Sequence, residues 1–243
     1  MTNTRQEQIL LTVITHYINT GNTVASRILV EEYALDVSPA TVRAEMMNLE
    51  SDGYLFQPHT SAGRIPTDRG FRFYVDHLRR HEALSRREQA LLDDTCDETS
   101  PDVRTLLNRT VTALSELLDC SSIATSPESD VYFSGASRLV HQPDFDDIQK
   151  IRNVIEMLEE RQEIIEHIKR VLQKQEMMLL IGAETEWPLL ADCSVMAAQY
   201  HIQNKPAGII GLITAKRTRY DRAQSAMGRI VERLDDAMER LYA

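Results

Sequence analysis

What most constrains the fold of this chain is the punctuation of residues 4–56, where three short helical patterns, each with its own stop, run straight into an extended stretch. Residues 4–20 line one face with Ile9, Val13, His16 or Tyr17 and Thr20; Leu10 and Ile14 widen it, and Gly21 is placed to stop the helix. Thr23 can cap a second, shorter helix whose apolar positions are Val24, Ile28 and residues 33–35. Ser38-Pro39-Ala40-Thr41 then opens a third. Serine suits the N-cap, and proline suits the first helical position, where its missing N–H does no harm. This helix is predicted to reach about Ser51, with Gly53 supplying the left-handed turn that ends it.

The third helix has two unlike sides. Val42, Met46 and Leu49 form an inward stripe, while Ala40, Thr41, Ala44, Met47 and Asn48 lie opposite, with Arg43 on the flank and Ser38 at the cap. Small and hydrogen-bonding residues of this kind can approach base edges, and a helix amino terminus favours a phosphate. The same face would also serve as the solvated side of an ordinary three-helix bundle. The following residues favour the first reading. Tyr54-Leu55-Phe56 can form a strand, residues 57–64 make a polar, turn-rich loop, Ile65 begins a return, and Thr67 caps a helix through Phe71, Tyr74, Val75 and Leu78. Residues 1–80 are therefore predicted to be a winged helix-turn-helix. Its wing residues His59, Thr60, Ser61 and Arg64, with Arg69 and Arg72 on the next helix, are expected to lie along a DNA backbone or minor groove.

A formal charge of −10 opposes nucleic-acid binding unless it is unevenly placed. Residues 1–80 hold eight Arg against nine Asp plus Glu, so almost all the negative charge sits in the remainder. Arg64, Arg69, Arg72, Arg79 and Arg80 cluster against only Asp68 and Asp76. A basic patch on a near-neutral module attached to an acidic body fits a DNA reader. No stretch approaches the roughly 18–20 apolar residues of a membrane helix, so no membrane partner is expected. The first residues show no basic segment followed by an apolar run, so no signal peptide is expected. Three cysteines, Cys96, Cys120 and Cys193, lack metal-type spacing and point to a reducing compartment, hence a cytoplasmic protein.

Beyond residue 80 the pattern changes. Residues 81–100, with Asp93, Asp94, Asp97 and Glu98, look like a helix tail running into an acidic linker. Residues 101–243 alternate helical and strand patterns. Leu106, Leu107, Val111, Leu114, Leu117 and Leu118 mark one helix; residues 121–125, 131–134, 177–181, 194–201 and 208–214 are strand candidates. Residues 203–205 should turn a hairpin. One long helix is predicted from Asp146 to about Lys174, with Ile148, Ile151, Ile155, Leu158, Ile165, Ile168 and Leu172 as its apolar repeat. A final helix runs from Tyr220 through Ile230, Val231, Leu234, Met238 and Leu241. Catalytic, cofactor-binding and metal-binding groups are not expected. Asp119-Cys120-Ser121 and Asp192-Cys193-Ser194 repeat a tripeptide, but a cysteine opening a strand reads better as buried and inert than as a nucleophile. His77 and His81 have a metal-capable i, i+4 spacing, yet beside Arg79 and Arg80 they read better as solvated or phosphate-facing.

Taken together, Ser38-Pro39-Ala40-Thr41-Val42-Arg43, Met46, Leu49, Glu50, Gly53-Tyr54-Leu55, the unbroken run from Gln57 to Asp68, and Gly70-Phe71-Arg72-Phe73-Tyr74-Val75-Asp76 closely resemble the HrcA family. Residues 131–137, 142–145, 181–182, 192–194 and 206–213 resemble its carboxy-terminal region. The resemblance implies an α+β protein, a winged helix-turn-helix followed by a GAF-like α/β domain. It also implies a repressor of heat-shock chaperone genes that binds an inverted-repeat operator as a homodimer, with a GroEL-type chaperonin as modulator. The chain departs from the family in one respect. Family members carry further strands and an inserted dimerisation segment where only residues 128–130 stand here, so the GAF-like body must be reduced. Dimer contacts are therefore expected on Ile164, Ile165, Ile168 and Leu172 and on Met227, Val231, Leu234 and Met238, and Ile209, Ile210, Leu212 and Ile213 are expected to be incompletely covered. Two alternatives stand beside this one: a ligand-gated regulator with a small-molecule-binding GAF-like body, and a winged-helix protein-interaction module that never meets DNA.

Overall fold

Ser38 and Thr67 show at atomic scale why two of the helices start where they do: each sits in extended backbone and accepts a hydrogen bond from the backbone N–H three residues on, Thr41 and Gly70. The computed structural model describes residues 4–33, 37–78, 83–97, 100–172 and 175–242. Leu35, Arg79, Arg80, His81, Glu98, Thr99 and Lys174 lie outside these, so the His77–His81 pair and the end of the arginine cluster fall partly there. The fold is α+β and divides into two compact units, residues 1–79 and 80–243.

The first unit holds α1 (Thr4–Thr20), α2 (Ser26–Tyr33), α3 (Pro39–Ser51), a ribbon of β1 (Leu55–Phe56) and β2 (Ile65–Pro66), and α4 (Asp68–Asp76). Its core gathers Ile9, Leu10, Val13 and Ile14 from α1, Leu29 from α2, Val42, Met46 and Leu49 from α3, Leu55, and Phe71 from α4, all buried. Two boundaries differ from the sequence reading. Helix α2 begins at Ser26 and is not capped by Thr23, because Val24 is taken up in an antiparallel bridge to Arg64. Helix α4 ends at Asp76, and His77 caps it.

The second unit is a five-stranded antiparallel sheet between two helical layers. Its strands are β3 (Ser121–Thr125), β4 (Val131–Ser134), β5 (Met177–Ile181), β6 (Cys193–Ile202) and β7 (Lys205–Ala215), in the order β4-β3-β7-β6-β5. Period-two alternation fills both faces. Ile210 and Leu212 point to one layer with α5 (Arg86–Thr95), α6 (Val103–Leu118) and α10 (Tyr220–Leu241). Ile209 and Ile213 point to the other, with α7 (Ala136–Val140), α8 (Ile148–Glu159) and α9 (Arg161–Leu172). Gln203 and Asn204, both left-handed at φ 51° and 59°, make the two-residue β6–β7 turn. Between β3 and β4 the chain closes in a tight turn, with Ser126 N donating to Asp130 O at 2.9 Å.

Four expectations are corrected here. The acidic linker is the docked helix α5, opened by a Ser85–Glu88 capping box and burying Leu92 and Cys96. The single long helix is two helices, broken at Glu160. Ile164, Ile165, Ile168 and Leu172 are core residues under the sheet, and Met227, Leu234 and Met238 are core residues on its other side, so none of them offers a dimer surface. Ile209, Ile210, Leu212 and Ile213 are each 3% exposed or less, which leaves no uncovered strand face there.

Candidate nucleic-acid interface

Burial of Val42, Met46 and Leu49 fixes the rotation of α3 and turns Ala40, Arg43, Ala44, Met47 and Asn48 outward as one exposed face. Met47 is 57% exposed, a large apolar side chain held in water. Ser38 Oγ accepts from Thr41 N at 3.1 Å and meets Thr41 Oγ1 at 2.9 Å, so both hydroxyls belong to the helix start. Asn48 Nδ2 donates to Glu45 Oε2 at 3.3 Å, and the same oxygen accepts from Gln6 Nε2 at 2.9 Å. Glu45 is thus a positioning group for Asn48 that the sequence reading passed over.

The ribbon is anchored at its base and closed at its tip. Val24 and Arg64 exchange both backbone hydrogen bonds at 2.9 Å, adding a third extended segment beside β1 and β2. The neighbouring Gly63 permits this approach: a Cβ there would sit 2.5 Å from the Val24 carbonyl carbon. Gln57 Nε2 donates to Thr60 O (3.2 Å) and Ala62 O (2.8 Å), folding the loop so that Pro58, His59, Thr60 and Ser61 stand exposed. Phe56, 52% exposed on β1, joins this surface; alternation against buried Leu55 was the signal for it.

Two of the three arginines differ from expectation. Arg64 is 9% exposed, and its guanidinium binds Glu50 through Nε at 3.0 Å and Nη2 at 2.9 Å. It locks the ribbon base to α3 and is not poised at a tip. Arg69 lies over the Tyr54 ring at 4.3 Å and donates to Asp52 O at 2.6 Å, closing the turn after α3. Arg72 lies 3.7 Å from Asp76, one turn along α4. The structure therefore leaves the outer face of α3 and the loop tip both exposed, with Arg64 holding the ribbon base to α3 and Arg69 closing the turn after α3.

Elsewhere the chemistry is quiet. Burial pushes the thiol of Cys96 up to about 11 and those of Cys120 and Cys193 up to about 12, away from nucleophilic use. Among the described residues no group of three His, Cys, Asp or Glu side chains is placed to hold a metal ion, and no helix is long and apolar enough to cross a membrane.

The family model described as the HrcA protein C terminal domain matches residues 72–223, well over half of the chain. The chain belongs to the HrcA family. Similar full-length proteins include the heat-inducible transcription repressor HrcA of Pelotomaculum thermopropionicum, 23% identical across 98% of this chain and 97% of that protein. The HrcA protein of Clostridium perfringens strain 13 is 26% identical across 98% and 99%. These alignments run over 337 and 340 positions against 243 residues here, so many positions of the HrcA relatives have no counterpart in this chain. A crystal structure of a hypothetical protein shares the fold, with a TM-score of 0.85 at 21% identity over 99% of this chain and 100% of that one. HrcA proteins are transcription repressors of the heat-shock response and not enzymes.

Proposed function

We propose that residues 1–79 are a winged helix-turn-helix, that α3 reads an operator through the major groove, and that the chain represses heat-shock chaperone genes as a dimer on an inverted repeat. The observation that carries this reading is the outer face of α3: Ala40, Arg43, Ala44, Met47 and Asn48, small or hydrogen-bonding residues with one exposed methionine, in a unit whose loop tip is exposed as well. Arg43 and Asn48 are the base-edge candidates, and Met47 can meet a thymine methyl. His59, Thr60, Ser61 and Arg72 would meet the backbone, with Ser38 and Thr41 at the amino terminus of α3. Residues 80–243 are then a reduced GAF-like body, with residues 126–130 closing the gap that a longer relative would fill. A ligand-gated regulator has less support, since side chains of the chain's own helices pack both faces of the sheet. The test is binding of the full chain to labelled inverted-repeat duplexes selected from genomic fragments, over a salt series. A falling log–log slope and a preference for the repeat over random duplex are expected. Salt-independent association, or none, would leave a protein-interaction module as the reading.

A further inference from the structure

An acid on the helix that is proposed to meet DNA needs a reason, because a carboxylate there is repelled by the phosphates it approaches. Glu45 is half-buried between the inward stripe of α3 and its exposed face, one turn before Asn48. Its Oε2 accepts from Asn48 Nδ2 at 3.3 Å and from Gln6 Nε2 at 2.9 Å. One carboxylate oxygen thus ties a residue of the exposed face back to α1.

The bond from Asn48 to Glu45 has a direction. An ionised carboxylate only accepts hydrogen bonds, and of the two ends of a carboxamide only the nitrogen donates. The Asn48 amide therefore has one orientation beside Glu45: Nδ2 turned to the carboxylate, with Oδ1 and the second Nδ2 hydrogen left for a ligand. Turned over, it would set Oδ1 against the carboxylate, lone pairs facing. Gln6 holds Glu45 from the other side, so the orientation is set before any duplex arrives and costs little further ordering on binding. The major-groove edge of adenine offers N7 as an acceptor beside the N6 amino donor, and asparagine meets both at once. Guanine puts an acceptor, O6, where adenine has that donor, and would oppose Oδ1 with a second oxygen. Held in one orientation, the amide cannot turn to suit it.

We propose that Glu45, steadied by Gln6, determines base specificity through Asn48, by fixing its amide so that Asn48 selects adenine at one base pair of the operator. The inference rests on the reading of α3 as the helix in the major groove, and goes beyond it by naming the base and the group that selects it. Glu45 itself touches no base; it is a positioning residue.

Competition binding of the full chain tests this, using the genomic duplex that the native chain retains best and a set of duplexes in which each base pair of that site is replaced in turn. Asn48→Ala locates the base pair, as the position whose preference it erases. There the native chain should favour adenine over guanine by about tenfold, and Glu45→Gln should cut that preference to about twofold at the same position and nowhere else. A carboxamide at 45 can accept from Nδ2 or donate to Oδ1, and so permits both orientations. Binding of Glu45→Gln to random duplex should not weaken, since a negative charge has gone, whereas a variant that had merely lost structure would bind every duplex less tightly. Gln6→Ala should shift the preference the same way by a smaller factor, and adding Glu45→Gln to Asn48→Ala should change specificity no further. Without DNA, the side-chain amide resonances of Asn48 should move in Glu45→Gln while the backbone spectrum is kept. A native preference for another base at that position overturns the proposal. So does Glu45→Gln with the preference intact, or with a loss at a different base pair, the mark of Glu45 reading a base itself; α3 would remain the reading helix in each case. If Asn48→Ala alters no preference, the assignment of Asn48 to the major groove fails and this inference with it.

Discussion

At position 64 an arginine can serve a phosphate or a carboxylate, and its backbone decides which. The bridge to Val24 draws residue 64 to the base of the ribbon, within reach of Glu50 and away from solvent. Arg64→Ala is therefore expected to destabilise the first unit by about 1–3 kcal/mol through the unpaired Glu50 carboxylate. Its salt dependence of DNA binding, measured at a temperature where the unit remains folded, should stay as in the native chain. A slope lowered by about one would return Arg64 to the phosphate backbone. Asn48 and Arg43 are the opposite case, exposed on a face whose rotation three buried residues fix. Alanine at either should relax discrimination among operator variants by about 1–3 kcal/mol per lost base contact, read from competition binding. Equal preference before and after would remove α3 from sequence reading. The sequence showed the face because helical periodicity is local. It misplaced Arg64 because a bridge across forty residues leaves no local trace.

Helix α5 shows what composition conceals. Its acids read as a solvated linker, yet Asp93 receives Arg229 Nη2 at 2.6 Å and Arg233 Nε at 2.7 Å, and Glu88 meets Arg222 of α10. Hydrogen bonds from Ser85, side chain and backbone, with Arg222 beyond them, hold the Glu88 carboxyl at about 2. The Arg229 hydrogen bond leads in holding Asp93 below its usual range. A carboxyl lowered in the folded state stabilises the fold above its unfolded value and loses that contribution as pH falls through the folded value. The melting temperature should therefore drop between pH 5 and 2, and Glu88→Gln, already without the charge, should flatten part of that drop. Parallel curves for the two proteins would show that Glu88 contributes nothing to acid stability. One local signal for α5 was present, the Ser85–Glu88 pair three residues apart ahead of Leu92. The five strands and the 203–204 turn were legible for a similar reason, since alternation and turn chemistry act over a few residues. The break at Glu160 was not, because apolar residues continue on both sides of it and only burial reveals two separate faces.

For the whole molecule, the proposed repressor would have to answer to heat through something other than an exposed strand, because Ile209, Ile210, Leu212 and Ile213 are each 3% exposed or less. Reaching that state is another matter. The central strands meet late in the sequence: Tyr200 donates to Thr125 O across 75 residues, and Ile209 N donates to Thr125 Oγ1 across 84. Pairings this distant cost loop closure before they return any contact, so slow folding is expected, with the apolar strands open meanwhile. On this proposal a GroEL-type chaperonin would act on the folding chain and leave the native protein alone. Heat would lower repression by enlarging the unfolded pool and by occupying the chaperonin with other clients. The expected result has two parts. Refolding from denaturant at 37 °C should yield several-fold more operator-binding protein when chaperonin and ATP are present. Protein already folded should bind operator with the same affinity in either case, and saturating operator should raise its melting temperature because only the native state binds. If chaperonin tightened the binding of folded protein while refolding yields stayed equal, it would be a direct effector, and the covered sheet would have to open for it.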